Sequence, residues 1–384
     1  MHAAPASRPA HLLPLLLLLL PAGGRLVAQH EPAHATMVEA SARAAARATV
    51  ADASPNAFGF PLPVLDAKQR RAFMVGNSFF KQNWVTTPAS TNDRDGLGPL
   101  FNARSCSACH RRDGRSAPPA DDDLDRSGLL LRSGIRTTTG ADAPHPLYGG
   151  QIQDAAIHGV EPEAKVTIRY RPVEGHYGDG EPFTLQSPDY AVEGRHGPLG
   201  DGVVLGPRTA PQLIGLGLLE AIPRAQLEAW ADPDDRDGNG ISGRLAMLDA
   251  PAAGTIGRFG WKATQPTVES QTAAAFVNDI GITSALFPFE TLTAAQQDLV
   301  AYVPSEGVEI DETTLDRVVF YTRALAVPAA RGRGRPDVET GRQLFARWGC
   351  ADCHVPAVAL GTEVFVPALA GLVIETQADA SRSW

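Results

Sequence analysis

The sequence predicts a mainly α-helical protein with much irregular structure, in which a Gly- and Pro-rich middle region joins two similar modules. Its four cysteines all fall in two Cys-x-x-Cys-His motifs, at residues 106–110 and 350–354. A helical Gly-x-x-apolar-Phe pattern precedes each motif, at residues 76–80 and 341–345. Residues 190–300 contain only short apolar runs between Gly and Pro, which predicts short helices, loops and a few strands.

The composition is that of a globular protein with room for two domains, since 43% of the 384 residues are hydrophobic and 20% are charged. The formal net charge is -9 at pH 7. This charge argues against a nucleic-acid partner, because proteins that bind nucleic acids normally carry a basic surface.

The first 28 residues have the pattern of a secretory signal peptide. Arg8 precedes an apolar stretch over residues 12–22, and small residues lead to a predicted cleavage site after Ala28. The stretch is too short to span a bilayer, and no later segment reaches the length of a membrane span. We therefore expect an exported, soluble protein, which in a bacterium is periplasmic.

The rest of the chain divides into four predicted segments: an N-terminal helix and linker (29–63), the first module (64–190), the middle region (191–300) and the second module (301–384). Apolar spacing predicts one helix over residues 69–84 and another over residues 313–328, ended by Pro328. Only thirty residues follow His354, and they contain no Met, His, Tyr, Lys or Cys. We therefore expect either a truncated second module, or a second site that the chain covers poorly and that lacks a partner opposite its histidine.

A Cys-x-x-Cys pair can serve three chemistries: a zinc site, a thiol redox pair or the covalent attachment of a haem. A zinc site would join two pairs that lie far apart in sequence and would leave both histidines unused. A thiol redox pair is expected in a βαβ context, which neither motif shows. Cys-x-x-Cys-His is the spacing of c-type haem attachment, with two thioether bonds and an adjacent imidazole for the iron. The predicted haem-binding residues are Cys106, Cys109 and His110 in the first motif and Cys350, Cys353 and His354 in the second.

Several longer stretches add a resemblance to a family. The sequences "GLGPLFNARSCSACH", "YGGQIQDAAIHGVEPEA", "DRDGNGISGR", "GRFGWKATQPTVESQTAAAFVNDIGIT" and "GCADCHVP" resemble the bacterial dihaem oxidoreductase family, whose members are labelled peroxidases or thiol oxidoreductases. The resemblance runs over residues 65–356 and implies two cytochrome-c-like haem modules with covalently bound haem c. Thiol oxidation has no support from the residues, because no cysteine remains outside the motifs.

The group opposite each haem histidine decides whether the iron only transfers electrons or also binds a small molecule such as peroxide. His145 is the first candidate for a distal ligand of the first haem, and Met74 is expected to pack in the core. Further histidines follow at His158, His176 and His196.

Peroxidase chemistry also needs a group that moves a proton. Gln151, Glu161 and Glu163 are the candidates, with a solvated acidic loop as the alternative interpretation. Trp261 and Trp348 are expected beside the haems, either packed on a haem edge or in an electron-transfer path.

The stretch "DPDDRDGNGISGR" resembles the first half of a calcium-binding loop. Asp235, Asp237 and Asn239 occupy alternate positions before Gly240, but Ala246 stands where the closing Glu would be. The three residues are candidate Ca²⁺ ligands, and an acidic surface turn is the alternative.

These observations favour a periplasmic dihaem c-type oxidoreductase that takes electrons from a small periplasmic donor and passes them between its haems to peroxide. The alternative from another class is a non-catalytic electron-transfer or accessory cytochrome with ligands on both faces of each iron. A third is a partly folded product that carries only the first haem.

Overall fold

The computed structural model describes residues 47–120, 128–137, 142–250, 252–302, 307–332 and 334–375. The predicted signal peptide lies outside the described residues. The protein contains 30% helix and 23% strand in several small sheets. The prediction of a mainly α-helical, cytochrome-c-like fold is therefore wrong, and the fold is mixed α/β.

The helices are short and lie mostly before and after the sheets. They are α1 (Ala67–Lys81), α2 (Cys106–Cys109), α3 (Leu216–Glu220), α4 (Arg224–Trp230), α5 (Val268–Ala275), α6 (Glu312–Arg323), α7 (Pro336–Arg347) and α8 (Cys350–Cys353). A π-helical turn, Phe276–Ile280, continues α5. No helix among the described residues is long and apolar enough to cross a membrane.

Twelve strands are seen in the described chain. They are β1 (Thr49–Val50), β2 (Leu100–Phe101), β3 (Leu129–Arg136), β4 (Asp142–Pro144), β5 (Gln151–Ile152), β6 (Ala155–Ala156), β7 (Ala164–His176), β8 (Pro182–Gly194), β9 (Val203–Thr209), β10 (Val327–Pro328), β11 (Ala357–Ala359) and β12 (Val373–Glu375). Strand β3 is central, because β4, β5 and β9 all pair with it in antiparallel register. The pairs β1–β10, β2–β6, β7–β8 and β11–β12 form separate two-stranded sheets.

The long hairpin β7–β8 accounts for much of the unpredicted strand content. Its register runs from Ala164 opposite Gly194 to His176 opposite Pro182. Ala164 and Val166 are buried while Lys165 between them is exposed, which is the two-residue period of a strand. The pattern was therefore present in the sequence, inside the segment interpreted as a haem module.

Both predicted long helices are confirmed. Helix α1 begins after Asp66, whose side chain accepts from the Gln69 N–H while the Gln69 side chain accepts from the Asp66 N–H. Helix α6 ends at Arg323, before the predicted stop at Pro328, which instead lies in β10. Pro328 therefore forms part of a strand rather than the end of the helix.

A single main core combines residues from the beginning, middle and end of the described chain, among them Leu62, Phe73, Trp84, Phe276, Val318 and Leu369. Trp84 meets Phe276 edge to face, with ring centroids 5.4 Å apart. A smaller cluster lies between β3 and the base of the β7–β8 hairpin. Helices α1, α5 and α6 thus share one core.

Gly76 is the position where α1 and α6 approach most closely. A Cβ atom on Gly76 would lie 2.1 Å from the Arg317 carbonyl oxygen and 2.7 Å from the Tyr321 Cβ. Gly341 is the equivalent residue of the second Gly-x-x-apolar-Phe pattern on α7, and a Cβ there meets nothing within 4 Å. The two glycines are therefore alike in sequence but differ in packing.

We predict that Gly76→Ala destabilises the protein by about 1–3 kcal/mol or more, because a methyl group forces the two helix backbones apart. Gly341→Ala serves as the matched control and is expected to be neutral or to stabilise by up to about 1 kcal/mol, through helix propensity alone. Thermal unfolding of both variants checks this. Equal melting temperatures for the two variants would contradict the packing account.

Candidate functional site

Helix α2 is a single turn that carries both cysteines of the first motif and ends at His110, whose N–H donates to the Cys106 carbonyl at 2.9 Å. His110 Nδ1 lies 2.7 Å from the Pro211 carbonyl oxygen. A carbonyl oxygen only accepts, so Nδ1 carries the proton and Nε2 keeps its lone pair. Burial lowers the pKa of His110 to about 4, against the effect of the Pro211 hydrogen bond. The imidazole is therefore neutral and has one nitrogen available to a metal.

A cavity of about 630 Å³ opens beside α2, and Cys106, Cys109 and His110 line one side of it. Its size lies within the range of cofactor pockets, about 300–1000 Å³. Burial raises the pKa of both cysteine thiols to about 12. A thiol redox pair needs a lowered pKa, so this environment does not favour thiol chemistry.

The rest of the cavity lining includes both apolar and cationic side chains. Apolar side chains come from Leu130, Leu216, Leu219, Phe259, Val268 and Val318. Cationic side chains come from Arg115, Arg132, Arg208, Arg258 and Lys262.

Arg132 and Arg208 lie on the paired strands β3 and β9, where Arg132 faces Gly206 and Leu130 faces Arg208. This register puts both arginines on one face of the sheet. Burial and the neighbouring Arg132 charge lower the pKa of Arg208. An apolar cavity with anchoring cysteines, an imidazole and paired arginines fits a haem with its two carboxylates.

Asp279 lies in the cavity lining on the π-helical turn after α5, together with Asn278. A π-helical turn inserts an extra residue and often marks a functional site. Burial raises the pKa of Asp279, although the Gln151 hydrogen bond and the Arg132 charge favour its ionised form. Asp279 is the acidic residue of this site that sequence reasoning missed. The only signal was its place within the motif "FVNDIGIT".

Gln151 holds the π-helical turn from behind. Its Nε2 lies 2.9 Å from Asp279 Oδ1, 2.7 Å from Asn102 Oδ1 and 3.0 Å from the Asn278 carbonyl. Gln151 does not line the cavity itself. It therefore contacts the acidic group of the site rather than the cavity.

Glu163 is buried one layer further out. Its Oε2 accepts from the Gln153 N–H at 2.6 Å, and its Oε1 accepts from the Gln296 side chain. Gln153 in turn donates from Nε2 to the Asn278 carbonyl at 3.0 Å. Glu163 is thus connected to the π-helical turn through Gln153.

Glu161, in contrast, points to solvent, and 79% of its side chain is exposed. Its Oε2 lies 3.4 Å from Arg195 Nε. Whether Gln151, Glu161 or Glu163 takes part in catalysis stays a prediction.

The distal-ligand candidates all lie away from the cavity lining. His145 is buried, but its Nε2 is bonded to the Leu199 carbonyl at 2.8 Å and its Nδ1 accepts from the Leu147 N–H at 3.1 Å. Both ring nitrogens are therefore occupied. The other three histidines and Met74 contribute nothing to the lining. The expectation that Met74 packs in the core is wrong, because its side chain is exposed.

The two tryptophans differ. Trp261 lines the cavity, where its Nε1 donates to the Thr209 carbonyl at 3.2 Å and the Arg208 guanidinium lies 5.9 Å from its ring. Trp348 is 72% exposed at the end of α7. Only Trp261 therefore belongs to the first site.

The second motif repeats the local geometry of the first. The ring of Phe345 lies 5.8 Å from His354, and the ring of Phe80 lies 6.3 Å from His110. The surroundings differ, because no residue of α7 is buried, while Phe79 and Phe80 of α1 are. Cys353 is exposed. The second site is thus open to solvent on the α7 side.

The predicted calcium loop is held by its own hydrogen bonds. Asp235 accepts from the Gly240 N–H at 3.1 Å, Asp237 from the Asn239 N–H at 3.1 Å, and Asn239 from the Ile241 N–H at 2.8 Å. In the described chain, no cluster of three or more His, Cys, Asp or Glu residues could hold a metal ion. The calcium site stays a prediction.

Glu163 predicts a pH dependence of stability. Burial raises its pKa from the usual range to about 7, although the Gln153 and Gln296 hydrogen bonds act in the opposite direction. The folded protein then binds more protons than the unfolded chain between about pH 4.5 and about pH 7. We predict that Glu163 alone lowers the free energy of unfolding by up to about 3 kcal/mol as the pH rises through this window, while His110, whose pKa is lowered, contributes in the opposite direction.

Urea denaturation from about pH 5 to about pH 8 measures this slope. Burial also raises the pKa of Glu290, to about 8, so part of the slope remains when Glu163 is replaced. Relative to the wild type, Glu163→Gln is expected to gain stability as the pH rises, and Glu161→Gln, at the exposed neighbour, is expected to follow the wild type. A wild-type slope in Glu163→Gln would assign the dependence to another group.

The geometry agrees with what comparison with known proteins shows. The model of the family described as "di-haem oxidoreductase, putative peroxidase" matches residues 36–134 and 149–379, which is nearly the whole chain. No curated protein and no solved structure matches the chain. Because this match covers nearly the whole chain, and because both Cys-x-x-Cys-His motifs are present, the chain belongs to the di-haem oxidoreductase family.

Proposed function

We propose that this protein is a periplasmic dihaem c-type cytochrome that reduces peroxide at the first haem site. The observation that carries the proposal is the lining of the cavity. Among the residues that the structure describes, the cavity lining contains one histidine, His110, and no methionine. A haem bound through His110 would then have an open opposite face, which is the coordination that permits a small molecule to bind.

The residues of the site have separate tasks in this proposal. Cys106 and Cys109 would form the thioether bonds, and His110 would hold the iron through Nε2, with its ring orientation fixed by the Pro211 carbonyl. Arg132 and Arg208 bind the two carboxylates of the haem. The haem supplies the site at which peroxide binds and is reduced.

Reduction of hydrogen peroxide to two waters consumes two electrons and two protons. Asp279 is the acidic group of the lining that we assign to proton delivery, because a buried carboxyl with a raised pKa holds its proton nearer to neutral pH. Gln151 fixes the carboxyl group through its 2.9 Å hydrogen bond to Oδ1. Gln151 is therefore a positioning residue.

The second motif is the entry point for electrons in this proposal. Cys350, Cys353 and His354 would hold the second haem c, and Cys353 and Trp348 at this motif are exposed. An exposed haem edge suits electron transfer from a small periplasmic donor. Export of the chain through its signal peptide belongs to the same proposal, since c-type haem and this donor both require the periplasm.

Haem counting and peroxide titration test the proposal. In a host competent for cytochrome c maturation, we expect two covalent haems per chain and a ligand-free, high-spin fraction that peroxide converts. Replacing both first-motif cysteines by Ser should remove one haem and the peroxide response. The matched change at Cys350 and Cys353 should remove one haem and keep that response.

A fully low-spin spectrum that peroxide leaves unchanged would contradict peroxidase function and favour the electron-transfer protein. Lys262→Ala separates the two cases further. If this change alone produced a high-spin haem, the lysine of the lining would be the sixth ligand, and the first site would not have an open face.

Asp279→Asn is predicted to lower the rate of peroxide reduction by about 10²–10⁴-fold, which is the usual contribution of a general acid. The haem content should stay the same, since Asn can still pair with Gln151. Stopped-flow mixing with peroxide measures the rate, and Asp201→Asn, in an exposed turn before β9, is the control. An unchanged rate in Asp279→Asn would assign the proton to another group.

A further inference from the structure

Tyr321 of α6 is a buried phenol that faces a buried carboxylate. Its side chain is 0% exposed, and its hydroxyl donates to Asp113 Oδ1 at 2.6 Å. Asp113 is 2% exposed and follows His110 by three positions. The pair therefore lies in the core directly behind the first haem site.

Aromatic rings connect this phenol to the haem histidine. The centroids of Tyr321 and Phe80 are 5.1 Å apart, and those of Phe80 and His110 are 6.3 Å apart. Phe73 packs on the other side of Tyr321 at 4.7 Å. Phe80 also lines the cavity itself. An electron could thus move between Tyr321 and the haem site across a single intervening ring.

The same helix also contacts the segment that follows the second motif. Phe320, the neighbour of Tyr321 on α6, meets the ring of Phe365 at 6.4 Å, and Phe365 follows the second motif in the chain. Tyr321 therefore lies on the helix that contacts both halves of the protein.

Anchoring of α6 alone would not require a carboxylate. Tyr148, the other fully buried tyrosine of the described chain, donates to the neutral Gly197 carbonyl. The backbone adopts positive φ at both Arg112 and Asp113, 54° and 61°, and the Asp113 side chain is buried. Such strained residues persist where the surrounding structure holds them, often at functional sites. The protein thus keeps a costly proton acceptor at the Tyr321 hydroxyl.

We propose that Tyr321 is a one-electron relay of the first haem site, with Asp113 as its proton acceptor. With a haem held by His110, Tyr321 would give one electron, through Phe80, to the first haem site after peroxide has taken electrons from that site. The phenolic proton moves to Asp113 Oδ1 at the same time, and a neutral tyrosyl radical remains. When the second haem or the donor returns an electron, Asp113 returns the proton and the phenol is restored.

The proton transfer matters because the core is apolar around the phenol. Oxidation without it would leave a cationic phenol buried among Phe73, Phe80 and the α6 side chains, which is costly in a low-dielectric interior. The proposal rests on the proposed function, since the oxidant is the haem after its reaction with peroxide.

Freeze-quench electron paramagnetic resonance of the full-length dihaem protein, mixed with hydrogen peroxide, tests the relay. We expect a tyrosyl radical in the wild type, identified by the change of its hyperfine pattern when ring-deuterated tyrosine is incorporated. The radical should be absent in Tyr321→Phe, which removes only the hydroxyl, and should persist in Tyr148→Phe. In Asp113→Asn, which still accepts the hydrogen bond but takes up no proton at neutral pH, the rate at which the radical forms should fall by about 100-fold.

Haem content and the optical response to peroxide, measured on the same samples, show that each variant is folded and loaded. A peroxide response without a tyrosyl radical in the wild type, or a radical that persists in Tyr321→Phe, would overturn the relay and leave the proposed function standing. Absence of any peroxide response in the wild type would overturn both.

Discussion

The hydrogen bond from His110 Nδ1 to the Pro211 carbonyl is the interaction on which the first site depends. It joins two segments that lie 101 residues apart in sequence. The Ser116 N–H donates to the Ala210 carbonyl and the Leu213 N–H to the Asp113 carbonyl, each at 3.0 Å, so the segments run side by side. One contact surface thereby sets the imidazole tautomer, one wall of the cavity and the position of Asp113.

The opposite wall depends on the π-helical turn after α5. Gly281 ends that turn in the left-handed region, at φ 69°, and lies so close to Gly98 that a Cβ on Gly98 would be 2.2 Å from the Gly281 carbonyl oxygen. Gln151 and Gln153 fix the turn through their amide groups, and buried Glu163 fixes Gln153. The acidic residue of the cavity is thus held by a layered polar network rather than by a single contact.

Local patterns in the sequence predicted local features well. The two Cys-x-x-Cys-His motifs, α1, α6 and the repeat that places Phe80 and Phe345 next to the two histidines all depend on residues close in sequence. The predicted fold class is wrong because the haem motifs favour a helical module, whereas the two-residue alternation of the β7–β8 hairpin indicates strands. The role of Asp279 could not be predicted, because its contacts with the first motif and with Gln151 cross more than a hundred residues. Long-range pairing of this kind has no periodic signal in a single sequence.

The two haem sites share a motif but differ in how far the protein encloses them. The proposed function assigns them different roles for this reason. The first is surrounded by the cavity lining, with a neutral imidazole on one side and an acid on the π-helical turn, whereas the second lies beside a helix with no buried residue. The most direct test is the resonance Raman spectrum of the reduced protein in which Cys350 and Cys353 are both replaced by Ser. We predict an iron–histidine stretching band, which would arise from a five-coordinate haem held by His110 alone. Absence of that band, with only six-coordinate low-spin marker bands, would contradict the open face on which the proposed function rests.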